Sequence, residues 1–98
     1  MKVFRFNAAD GALVGFATHV AALADLGGGP DCVYFAEDGS PLRLEQGLDG
    51  GRFLRPWASC ASCHLAQILP YVRVGEGSID GETFSLLCAR FGPGADFA

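Results

Sequence analysis

Cys60-Ala61-Ser62-Cys63-His64 gathers the residue types with the widest chemistry in this chain. Two thiols separated by two residues and followed by an imidazole can hold a metal ion, cycle between dithiol and disulfide, or carry a c-type haem. Each use makes its own demand on the rest of the sequence.

Haem c would take its thioether links from Cys60 and Cys63 and an axial ligand from His64. Attachment normally follows export. The chain opens Met1-Lys2-Val3-Phe4-Arg5-Phe6-Asn7, without the apolar core and small-residue cleavage site of a signal peptide. The single methionine is Met1, so His19 is left as a sixth ligand. Haem c is disfavoured on these grounds.

Zinc asks for four tetrahedral ligands, and the Cys60/Cys63 knuckle supplies two. The others must come from Cys32, Cys88, His64 or His19. Adjacent Cys63 and His64 seldom both reach one metal. Cys32 opens an apolar run and Cys88 lies on an apolar stripe, so both can face one interior. The four cysteines are therefore the expected ligand set of a zinc-stabilised module, although a second close ligand pair is missing.

Thiol redox chemistry would follow if Ser59 caps a helix. Cys60 then stands at the helix N-terminus, where the dipole favours a thiolate, and Trp57 lies just upstream. A thioredoxin-like arrangement, however, places such a motif early in a βαβ unit. Here two hairpins come before it.

The plain alternative is that the thiols are small buried hydrophobes and that His64 and His19 are polar residues at helix starts. The context gives this reading the most weight, and no cofactor is the leading expectation. Catalysis finds little support either. Gly27-Gly28-Gly29 runs into Pro30 without the Lys-Ser/Thr ending of a phosphate loop. A set such as Cys63, His19 and Asp25 can be written down for almost any small protein. The chain reads as a non-enzyme.

A second stretch has the composition of a binding surface. Arg52-Phe53-Leu54-Arg55-Pro56-Trp57 places two arginines, a phenylalanine and the only tryptophan within six residues. Arginine and tryptophan dominate interface hot spots because they combine contact area with strong hydrogen bonding. Arg52, Arg55 and Trp57 are the expected protein-binding residues. Phe53 is expected in the core.

These residues must be positioned by a single domain spanning 1–98. Half of the 98 residues are hydrophobic, enough for a core. Val3 to Phe6 alternates as a strand, Ala9-Asp10-Gly11 is turn chemistry, and Leu13 to Ala17 returns. Thr18 caps a helix running to Leu26 with Val20, Leu23 and Leu26 on its buried side; Gly27 to Pro30 stops it. Cys32–Ala36 and Leu42–Glu45 pair across Glu37-Asp38-Gly39-Ser40. Pro56 keeps residues 52–57 out of a central strand. A helix capped by Ser59 or Ser62 ends before Pro70, and Val72-Arg73-Val74 forms another strand. Phe84, Leu87, Cys88 and Phe91 form a helical stripe capped by Asp80 and closed by Gly92-Pro93, although Phe84, Leu86 and Cys88 also fit a strand. Residues 94–98 are expected to fray. The fold class is α+β: an antiparallel, hairpin-built sheet with two or three short helices packed on it.

The net charge of −4 and the scattered cations argue against a nucleic-acid partner. No apolar run approaches the length of a membrane span. The expected setting is cytoplasmic, without a membrane, and the expected partner is a protein. A regulator, adaptor or inhibitor of a larger protein machine fits, a phage-type inhibitor such as an anti-CRISPR being one example. The zinc module and the thiol redox protein or sensor stand as alternatives.

Overall fold

Five short strands form one antiparallel sheet: β1 (Val3–Asn7), β2 (Leu13–Phe16), β3 (Cys32–Ala36), β4 (Pro41–Gln46) and β5 (Arg52–Pro56). Their spatial order is β2-β1-β3-β4-β5. The computed structural model describes residues 2–25, 31–57 and 64–91. Helix α1 (His19–Ala24) lies on one face of the sheet. On the other lie α2 (Leu65–Ile68), which runs on into a 3-10 turn at Leu69–Tyr71, and α3 (Gly81–Phe91). This is the α+β domain that the pattern of hairpins implies.

Strands β1 and β3 are apolar on both sides apart from Arg5, Asn7 and the Tyr34 hydroxyl, because both sides are covered. In β1, Phe4 and Phe6 point to the α2/α3 layer, where they meet Phe35, Leu65, Leu69, Leu87 and Phe91. Val3 points the other way, to a smaller cluster with Ala22, Tyr34, Leu42 and Leu54. Each fully buried Leu or Phe contributes about 1.5–3 kcal/mol. The larger cluster therefore carries more of the stability.

The helix caps follow side-chain chemistry. Ala21 N–H donates to Thr18 Oγ1 at 3.0 Å, and Thr83 N–H donates to Asp80 Oδ1 at 2.7 Å. The carboxyl of Asp80 is held below its usual range by the Thr83 N–H and then by the Thr83 hydroxyl. Segment 81–91 is helix, with Leu87 and Phe91 buried and Phe84 and Cys88 packed beside them.

Three local expectations are corrected. Helix α1 ends at Ala24, and its Val20 is 75% exposed. Ala22 is its fully buried position, and Leu23 packs partly buried against the same cluster, as expected. Residues 72–74 form no strand; a single bridge, Ala12 to Arg73, replaces it. The chain swings away through Gly75 and Gly77, whose φ values of 128° and 78° suit glycine. Helix α2 is capped by His64 rather than by Ser59 or Ser62, which lie outside the described residues together with Leu26, Gly92-Pro93 and the tail. Among the described residues, no helix is long and apolar enough to cross a membrane.

Candidate functional site

The β4–β5 hairpin forms one end of the sheet and is covered by α1 on one face. Its register pairs Leu42 with Pro56, Arg43 with Arg55, Leu44 with Leu54 and Glu45 with Phe53. Strand alternation sends the even-numbered side chains toward α1, where Leu42 and Leu54 join the smaller cluster. The odd-numbered face holds Arg43, Glu45, Phe53, Arg55 and Trp57. Neither core cluster takes a residue from it.

That face is internally organised. The Arg43 guanidinium lies 5.8 Å from the Trp57 ring centroid, within cation–π range. Arg55 Nη1 donates to Glu45 Oε1 at 2.8 Å. The Trp57 backbone N–H donates to the carbonyl of Pro41 at 3.0 Å, which carries the β4–β5 ladder to the end of the strand. Trp57 is half-buried, and Phe53 is exposed rather than core. Phe53 belongs to the surface because no described helix reaches the odd face at its position.

The three expected binding residues do not form one patch. Arg55 and Trp57 share the odd face. Arg52 belongs to the opposite face, where its Nη2 donates to the Leu23 carbonyl at the end of α1, 3.1 Å away. Arg43 takes its place beside Trp57. Its signal in the sequence was the alternation of β4 once β4 and β5 are paired about the Gly47–Gly51 turn.

Cys60 and Cys63 lie outside the described residues. Of the other two proposed ligands, Cys32 alternates with Tyr34 and so stands on the α1 side of the sheet, whereas Cys88 packs against the α2/α3 cluster. The fold sets the sheet between them and does not bring them into one interior. Among the described residues, no three of His, Cys, Asp and Glu gather in a group able to hold a metal ion.

His64 has a defined structural task. Its Nδ1 accepts the Ala66 N–H at 3.0 Å, so the ring proton sits on Nε2 and is donated to the Asp38 carbonyl at 3.1 Å. Gln67 Oε1 accepts the His64 N–H at 2.9 Å and completes a capping box. The ring meets Phe91 edge-on at 5.6 Å between centroids. Both nitrogens are thus engaged, and the imidazole clamps the β3–β4 turn to α2 and α3. The spacing of His64 and Gln67 was the sequence signal for this cap. Beneath it, Asp38 is held below its usual carboxyl range by the Ser40 hydroxyl and then the Ser40 N–H.

Arg5 is a charged residue of β1 and shares with Val3 the face of the sheet that carries α1. It is 8% exposed, because α1 covers that face. Its Nη1 lies 3.0 Å from Asp25 Oδ1, and its guanidinium sits 5.1 Å from the Phe16 ring centroid. Burial works against its charge. The hydrogen bond and attraction of Asp25, helped by Tyr34, outweigh that and raise its pKa above the ordinary value.

Comparison with protein-family models, curated proteins and solved structures finds no match for this chain.

Proposed function

We propose that this chain is a protein-binding module, a regulator, adaptor or inhibitor of a larger protein assembly in a reducing, cytoplasmic setting. Its docking surface is the odd-numbered face of the β4–β5 hairpin. One observation carries the reading: a face bearing Trp57, Phe53 and two arginines contributes nothing to either core. Side chains of these types supply most of the binding energy at protein interfaces. The contacts Arg43–Trp57 and Arg55–Glu45 already hold them in place, which lowers the ordering cost of association.

The test is affinity capture with the tagged full chain, comparing the unaltered protein with Trp57→Ala and Arg55→Glu. Both variants should stay folded, because neither residue belongs to a core cluster, and both should lose the captured partner. A partner retained equally by all three proteins would remove this face from consideration.

A further inference from the structure

The two edges of the sheet are finished differently. At the β2 edge, Arg73 N–H donates to the Gly11 carbonyl, Ile79 N–H donates to the Leu13 carbonyl, and Leu13 N–H donates to Ser78 Oγ. The segment following α2 therefore closes that edge at Gly11 and Leu13. No described residue does the same for β5. The flanking bonds, Trp57 N–H to the Pro41 carbonyl and Gly47 N–H to the Gly51 carbonyl, fix which groups of β5 face β4. Antiparallel ladders alternate, so Phe53 and Arg55 bond to β4 while Arg52, Leu54 and Pro56 turn their backbone groups outward. The open edge offers two N–H donors, on Arg52 and Leu54, and the carbonyls of all three residues. Pro56 has no N–H and ends the donor row.

Charge indicates what such an edge would take. Between residues 41 and 57 three arginines face two acids, a net charge of +1; the whole chain carries −4, which leaves −5 on the remainder. The Arg52 guanidinium is held by a carbonyl, and no carboxylate pairs with it among the described residues. Arg55 is paired with Glu45 through Nη1, yet its side chain is 60% exposed and keeps donors free for a second carboxylate. Arg52 and Arg55 project on opposite faces of β5, three positions apart.

We infer that the open edge of β5 is a strand-docking site for an extended segment of a protein partner that carries two acidic residues three positions apart. This deepens the proposed function and rests on it. The segment adds as a sixth strand, its backbone bonding to Arg52 and Leu54. Its two carboxylates fall on opposite faces, one beside each arginine. A second copy of this chain suits the edge less well. Pairing two β5 strands would bring Arg52 and Arg55 of both copies into one ladder without adding an acid.

Backbone amide exchange on the full-length, isotope-labelled protein tests the assignment. In the unbound protein, the Arg52 and Leu54 amides should exchange fast, and those of Phe53 and Arg55 slowly. The probe is the blocked peptide Thr-Val-Glu-Thr-Val-Glu-Thr-Val. It should slow Arg52 and Leu54 by roughly tenfold or more, while the counterpart with lysine in place of both glutamates leaves them unchanged. The double variant Arg52→Glu, Arg55→Glu, if its spectrum stays dispersed, should lose the response.

Slow Arg52 and Leu54 amides in an unbound monomer would mean that another part of this chain closes the edge, and would overturn the inference. Slow amides in a protein that sediments as a dimer would assign the edge to a second copy and overturn it equally. So would an equal response to both peptides, or none to the glutamate peptide. A captured partner that is lost with Trp57→Ala, yet leaves the Arg52 and Leu54 amides fast in the complex, would keep the module and discard the edge. Failure of capture alongside a selective peptide response would do the reverse.

Discussion

Replacing Gly39 by alanine separates two costs that usually arrive together. Gly39 has φ of 86°, a conformation that disfavours any side chain by about 1–2 kcal/mol. A Cβ there would also stand 2.3 Å from His64 Cε1 and 2.7 Å from Nε2, so the ring must leave its seat. Displacing it forfeits the cap on Ala66, about 0.5–2 kcal/mol, and the bond to the Asp38 carbonyl, about 0.5–1.5 kcal/mol. The sum is about 2–5.5 kcal/mol, and each kcal/mol lowers the melting temperature of a domain this size by roughly 4–8 °C. Gly50 supplies the control. Its φ is 84°, and a Cβ there meets nothing within 4 Å. Gly50→Ala should therefore cost the conformational part alone, about 1–2 kcal/mol. Urea unfolding followed by far-ultraviolet circular dichroism measures both. In a His64→Ala background the obstruction is gone, and Gly39→Ala should fall to the Gly50→Ala value. Equal costs for the two glycines in the unaltered protein, within about 0.5 kcal/mol, would refute the clamp.

Two further outcomes follow from burial and from ionisation. Leu69 is 1% exposed in the larger cluster, and Leu69→Ala should cost about 2–5 kcal/mol in urea unfolding, whereas Leu48→Ala at the exposed hairpin tip should change stability by no more than about 0.5 kcal/mol. Asp80 has a lowered carboxyl pKa in the folded chain, so its contribution is complete above the unfolded value and disappears as pH falls through the folded one. Urea midpoints should therefore decline below about pH 4, and less steeply in Asp80→Asn, which keeps the cap without the charge. Asp38 acts in the same direction in both proteins, so parallel slopes would show that Asp80 contributes nothing to the decline.

Much of the fold could be read locally. The turns at Gly11 and Gly39, the caps Thr18 and Asp80, and the stripe through Leu87 and Phe91 are all short-range signals, and each names its element. Pairing between β1 and β3 joins residues about thirty positions apart and has no local signature. The burial of Arg5 has no local signature either. Both faces of β1 are covered, and alternation distinguishes two faces without saying which one water reaches. The binding stretch was recognisable by composition, but its grouping was not. Once β5 pairs with β4, parity moves Arg52 to the far side and brings Arg43 beside Trp57. His64 was visible as a helix-start residue, although its grip on the β3–β4 turn depends on Asp38, 26 positions away.

The stitching of β2 by the segment around Ser78 bears on how the chain behaves during synthesis. Leu13 and Ser78 are 65 residues apart, and no earlier segment makes the bonds they share. A nascent chain can build its β1–β2 hairpin early and add β3 as soon as that strand emerges. Until residues 73–79 have left the ribosome, however, it holds a sheet with both borders unprotected. Long-range closure of this kind is slow and leaves strand edges available to neighbouring chains. Translation that stalls between β5 and α3 should consequently yield an aggregation-prone product, and one in which the smaller core beneath α1 is already complete.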